Sequence, residues 1–241
     1  MKSSFSHLPN ALAATIAFLS FAYFVIAVVA LYLLNPSYGL SVSMYGGYDM
    51  GSYEFLIAST FFALGIGSLA LGVGLTEAMS RSLRSGLGLL LLGIWGVGIF
   101  LAGIFPANDG GSTVPHMTTV LIAGIFPVQV EATPETKYSF LHIFIILGSF
   151  FILAIASVLL SWKFKQYERW HSFASISSIL GLLMLVLALF FIPTFLFPGL
   201  LGYTTFNAGF FVLIGIHIGI LWLILTAVWL RFVVNGSVAR S

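Results

Sequence analysis

Residues 119–130, TVLIAGIFPVQV, decide how often this chain crosses a membrane. A bilayer core of about 30 Å needs roughly 20 apolar residues at a rise of 1.5 Å each. This stretch is apolar for only about 12 residues, too few to span. Its AGIFP (123–127) repeats 102–106 of LAGIFPANDGG (101–111), but nothing further aligns on either side, so the match is not an internal repeat. Val120, Ile122, Val128 and Val130 are β-branched, which suits extended structure. Residues 106–137 are therefore expected to form an ordered loop on the extracytoplasmic side, a hairpin or lid. A segment dipping into the bilayer edge is the alternative, provided protein covers its backbone.

Working outward from that loop, the rest of the chain is dominated by lipid-compatible sequence. Of 241 residues, 60% are hydrophobic and 7% charged, and the mean hydropathy is +1.11. A soluble domain carries about 25% charged residues, so water is not the main solvent of this protein. Six stretches are long enough to span: about 11–34, 54–75, 86–105, 138–161, 171–193 and 208–233. The expected fold is all-α, a single polytopic bundle of six transmembrane helices. The first apolar run exceeds the ~7–15 residues of a signal-peptide core and lacks a small-residue cleavage pattern, so it reads as a retained helix.

Charge gives the orientation. Lys2, Arg81, Arg84, Lys163, Lys165, Arg169, Arg231 and Arg240 fall on one side of the six spans and Lys137 alone on the other. By the positive-inside rule both termini are expected in the cytoplasm of a multi-pass plasma-membrane protein. A seventh helix would carry Lys163, Lys165 and Arg169 outside. Tyr38, Tyr45, Tyr48 and Tyr53 lie on the outer side, where an interfacial aromatic belt is expected. The inner segment SWKFKQYERWH (161–171) mixes basic and aromatic residues and suits anionic headgroups; nucleic acid is not an expected partner.

Glycine is dense in the second, third and sixth spans. Gly65, Gly72, Gly215 and Gly219 are the expected helix-packing positions, because small residues let backbones approach closely in lipid. Packing within the bundle is the plain reading. A homo- or hetero-oligomer face is the other.

Ionisable groups inside a bilayer are expensive and so become candidates for function. Asp109 follows the third span, and His142 lies about four residues, some 6 Å, into the fourth. His217 lies about nine residues, roughly 14 Å, into the sixth, and His116 is in the outer loop. Imidazole and carboxylate together suit zinc, which could activate water for hydrolysis of a lipid at the outer leaflet. Zinc donors must converge to about 2.0–2.2 Å of the metal, and His217 is about 8 Å deeper than His142. The bland readings are a helix-end His142 bonded to Asp109 or water, and a satisfied His217. Cysteine is absent, which removes thiolate sites and a Cys nucleophile. No HExxH, GxSxG or P-loop pattern is present.

Six spans of this length, the third ending in GIFPAND and the fourth opening with YSFLHIFIILGSF, resemble the DUF998 family. The likeness covers roughly the second to sixth spans and rests on Gly103, Phe105, Pro106 and Asp109 with His142. It implies a six-helix membrane architecture for an uncharacterised bacterial or archaeal protein, and no activity. The expected role is non-enzymatic: an accessory or structural subunit, or a binder of lipid or another hydrophobic ligand, in contact with membrane lipids and with no cofactor. The alternative is a metal-dependent hydrolase using Asp109, His142, and His116 or His217, with zinc.

Overall fold

Some helix ends have a local reason in the sequence. The structure, a computed structural model, describes residues 8–34, 54–79, 86–104, 137–196 and 205–238, with side chains over 11–31, 33–34, 55–79, 86–104, 148–190 and 214–233. Six helices occupy them: α1 (Leu8–Leu34), α2 (Glu54–Ala78), α3 (Gly86–Ile104), α4 (Lys137–Phe164), α5 (Glu168–Leu196) and α6 (Thr205–Val238). No strand occurs among the described residues. Helix α1 carries Pro9 in its first turn, where a missing N–H is harmless. The described part of helix α3 ends at Ile104. Lys163 in the last turn of α4 and Glu168 in the first turn of α5 complement the helix dipoles.

Among the described residues five helices are long and apolar enough to cross a membrane: Ala11–Leu31, Phe55–Ala78, Gly86–Ile104, Glu168–Phe190 and Ile214–Val233. In α4 the described apolar stretch is Gly148–Phe164. Several helices exceed the stretches expected from hydropathy, for example α5 by three residues at either end. Hydropathy stops at the first polar residue, whereas the backbone ladder continues until a turn breaks it. Pro193, expected at a helix end, accordingly sits inside the last turn of α5. The expected loop 106–137 lies outside the described residues except for Lys137, which opens α4.

Successive helices pack on one another from α1 to α6, and α6 closes on α1 while also touching α2 and α4. The helices are largely apolar all round, and their inner faces combine small residues, large rings and a few hydroxyls. On α1 the buried face is Ala13, Ala14, Ala17, Phe21, Phe24 and Ala27, while Leu12, Ile16, Leu19, Ile26 and Leu33 are exposed. Large exposed apolar side chains on every helix suit a surface that meets lipid.

Glycines set the tightest approaches. A Cβ on Gly65 would lie 2.8 Å from the Gly96 carbonyl and 2.9 Å from the Phe100 nitrogen, so α2 and α3 meet backbone to backbone. Gly215 packs on the Phe150 ring of α4, and Gly219 faces Leu153 of α4 and Met184 of α5. Gly72 differs: its nearest neighbour would be Leu92 Cδ2 at 3.9 Å, an ordinary contact.

Two indole–hydroxyl clips cross the buried interfaces. Trp95 Nε1 of α3 donates to Ser68 Oγ of α2 at 3.0 Å, and Ser68 donates to the Leu64 carbonyl at 2.8 Å. Trp222 Nε1 of α6 donates to Ser177 Oγ of α5 at 2.7 Å. Ser177 bonds Ser161 of α4, and Ser161 donates to the Ser157 carbonyl at 2.6 Å. One proton per hydroxyl fixes the direction: Trp222 to Ser177, Ser177 to Ser161, Ser161 to backbone. Ser68→Ala strands the Trp95 N–H in an apolar interior and should lower stability by about 1 kcal/mol. Unfolding of the purified protein in detergent by SDS titration measures it, and an unchanged midpoint would count against the clip.

Candidate functional site

The residues singled out from sequence do not assemble into a described site. Asp109 and His116 lie outside the described residues. His142 falls on the sixth residue of α4, and its side chain lies outside the described set. His217 is exposed on α6, about opposite Gly215 and Gly219, which are buried against α4 and α5. Among the described residues no group of three or more His, Asp or Glu side chains could hold a metal ion. The Asp109–His142 contact proposed for zinc therefore has no described geometry.

What the structure brings together instead is apolar. A cavity of about 30 Å³ lies where α1, α2, α3 and α6 converge. Phe24, Val28 and Leu31 of α1 form one wall, and Ile57, Thr60, Phe61 and Leu64 of α2 another; Trp95, Ile99, Ile216 and Ile220 close it. The Thr60 hydroxyl donates to the Ile57 carbonyl at 2.6 Å, so the one hydroxyl in the wall is already committed to backbone. A water fills about 10–15 Å³ in this measure, so the space equals about two water- or methylene-sized groups. An apolar space of that kind stays dry.

The cavity marks a locally looser contact in the bundle. Toward the end carrying the α4–α5 turn Leu71, Leu75, Leu160, Phe164, Trp222, Leu223 and Leu230 are wholly buried. There Phe164 stacks on Trp170 at 4.5 Å and Phe173 on Trp229 at 5.4 Å. Trp229 Nε1 also donates to the Arg169 carbonyl at 3.1 Å, tying α6 to the start of α5. Around the cavity burial is less complete: Phe24 and Ile220 are 6% exposed, Ile57, Phe61 and Ile216 8%. Phe150, Ala154 and Ala188 on the same half of the bundle are again wholly buried, so the looser packing is local to the meeting of α1, α2, α3 and α6.

Sequence reasoning did not find this site. Ile57, Thr60, Phe61 and Leu64 have helical i, i+3, i+4, i+7 spacing, but so does any packed face. Nothing in those residue types separates a cavity wall from an ordinary interface.

No curated protein and no solved structure matches the chain. One family profile does: that of DUF998, described as a protein of unknown function, over residues 16–229. The match runs from the first half of α1 into the last third of α6 and so takes in most of the helical frame and the cavity. By that coverage the chain belongs to the DUF998 family of unknown function, here in the form of an all-helical, membrane-like protein.

Proposed function

We propose that this chain is a non-enzymatic plasma-membrane protein, both termini cytoplasmic, that binds a lipid or another hydrophobic ligand with one apolar chain seated between α1, α2, α3 and α6. The observation that carries this reading is the apolar cavity where α1, α2, α3 and α6 meet in an otherwise closely packed bundle. In water an apolar pocket excludes solvent; in a bilayer the competing occupant is a lipid chain, and a cavity of two methylene groups suits its tip. The distribution of basic residues, eight on one side and one on the other, supports the orientation.

Ile220→Trp fills the cavity without adding charge. Wild-type protein purified in mild detergent should carry a lipid adduct by native mass spectrometry, and Ile220→Trp should lose it while its unfolding midpoint holds or rises. Equal retention by the two proteins would refute the cavity as the binding place.

A further inference from the structure

Arg231 adds a charge to the same seam. Its guanidinium lies over the Phe18 ring of α1, 5.3 Å from the centroid. Phe18 is seven residues, about 10 Å, inside Ala11, where the apolar span of α1 begins. The direction follows from helix geometry. Side chains tilt toward the N-terminus of their helix, and α6 runs antiparallel to α1, so Arg231 leans inward, Phe18 leans toward the membrane surface, and the two meet between their backbone levels. Arg231 itself is two residues from Val233, where the apolar span of α6 ends, and a guanidinium at that edge attracts anionic groups. Among the described residues Arg231 is exposed and no carboxylate pairs with it.

The path from Arg231 to the cavity is apolar. On α6 Val228, Ile224 and Leu221 continue the Arg231 stripe at helical spacing; on α1 Ala22 and Val25 follow Phe18. All five are partly or fully exposed. The cavity wall on α1, Phe24 to Leu31, begins six and ends thirteen residues beyond Phe18, about 9–20 Å along the axis. Leu230 seals the seam inward of the arginine by filling the notch over Gly74 beside Ala13.

We propose that the α1–α6 seam binds an anionic amphiphile: Arg231 pairs with its carboxylate or phosphate, and one of its chains runs along the seam to end in the cavity. This rests on the proposed lipid-binding reading and names the chemistry of the ligand. Arginine suits either anion, because its planar fork matches both. The occupant is therefore a fatty carboxylate or an acidic phospholipid.

Trp95 in the cavity wall is the reporter. The full chain is placed in phosphatidylcholine nanodiscs and titrated with a fatty acid brominated near its methyl end, under conditions where it is ionised, and with its methyl ester. Quenching is read as the part removed by Trp95→Phe. The acid should quench at a concentration at least tenfold below the ester. Arg231→Gln should abolish that preference, and Arg231→Lys should keep much of it. In a second arm, phosphatidylglycerol with the same brominated chain is compared with phosphatidylcholine. A preference for the acidic phospholipid, with none for the free acid, assigns the headgroup to phospholipid and still supports the proposal. Equal quenching by charged and neutral compounds in both arms, or a preference that survives Arg231→Gln, overturns the role of Arg231 and leaves the cavity reading intact. Absence of Trp95 quenching by every compound overturns the cavity reading itself.

Discussion

Gly65→Leu abolishes the folded bundle, and Gly65→Ala destabilises it by about 1–3 kcal/mol, the range for overpacking a close interface. The obstacle is backbone. The added Cβ would meet the Gly96 carbonyl at 2.8 Å and the Phe100 nitrogen at 2.9 Å, and neither can rotate away. Helices α2 and α3 must separate along their length. In water, alanine would recover about 1 kcal/mol of helix propensity. In a bilayer the separated helices are already helical, since no water satisfies an open backbone, so that recovery is absent. Gly93→Ala is the control: its Cβ meets nothing within 4 Å, and its midpoint should stay within about 0.5 kcal/mol of wild type. SDS titration of the two variants by circular dichroism and tryptophan fluorescence decides. Similar midpoints for Gly65→Ala and Gly93→Ala would show that the α2–α3 contact is not as close as described.

Trp222→Ala should cost about 3 kcal/mol, near the lower end for removing a large aromatic side chain from a core. The lower end applies because lipid is as apolar as the interior, so packing and hydrogen bonding are lost without a water-transfer term. Trp222 is wholly buried, so a void remains between α5 and α6, and the first donor of the Ser177–Ser161 chain disappears. Trp222→Phe keeps most of the volume and should cost about 1–2 kcal/mol, chiefly the hydrogen bond. Ser177→Ala breaks the same chain at its middle. The double variant Trp222→Phe/Ser177→Ala should lose less than the sum of the two, because both remove one shared bond. Strict additivity in the same SDS titration would show that indole and hydroxyl do not interact.

Much of the frame was readable from particular residues. The third span, expected over 86–105, is helical from Gly86 to Ile104, where the described residues end. The charged turn around Lys163–Arg169 placed the α4–α5 connection, though hydropathy made it longer than the three residues 165–167 that form it. The glycines of α6 were readable as packing positions, but not their partners Phe150, Leu153 and Met184. Gly72 looked equivalent to Gly65 and is not, because closeness depends on what the facing helix presents. Asp109, His116 and the His142 side chain drew the chemical reading from sequence and fall outside the described residues. Arg231 counted only as an orienting charge until its position over Phe18 placed it in the seam.

By itself, then, the amino-acid sequence determined membrane residence, the number and order of the helices and the approximate points where they stop. Those properties follow from terms that act residue by residue: transfer of side chains to lipid, proline geometry and the cost of buried charge. Only the tertiary structure decided which face of each helix turns inward, that packing loosens around Trp95 and Ile220, and that Arg231 lies along the α1–α6 seam. Helices apolar on every side carry no amphipathic signal to orient them. Their rotation is set by how glycines, alanines and aromatic rings fit across interfaces, and that fit exists only once the helices are together.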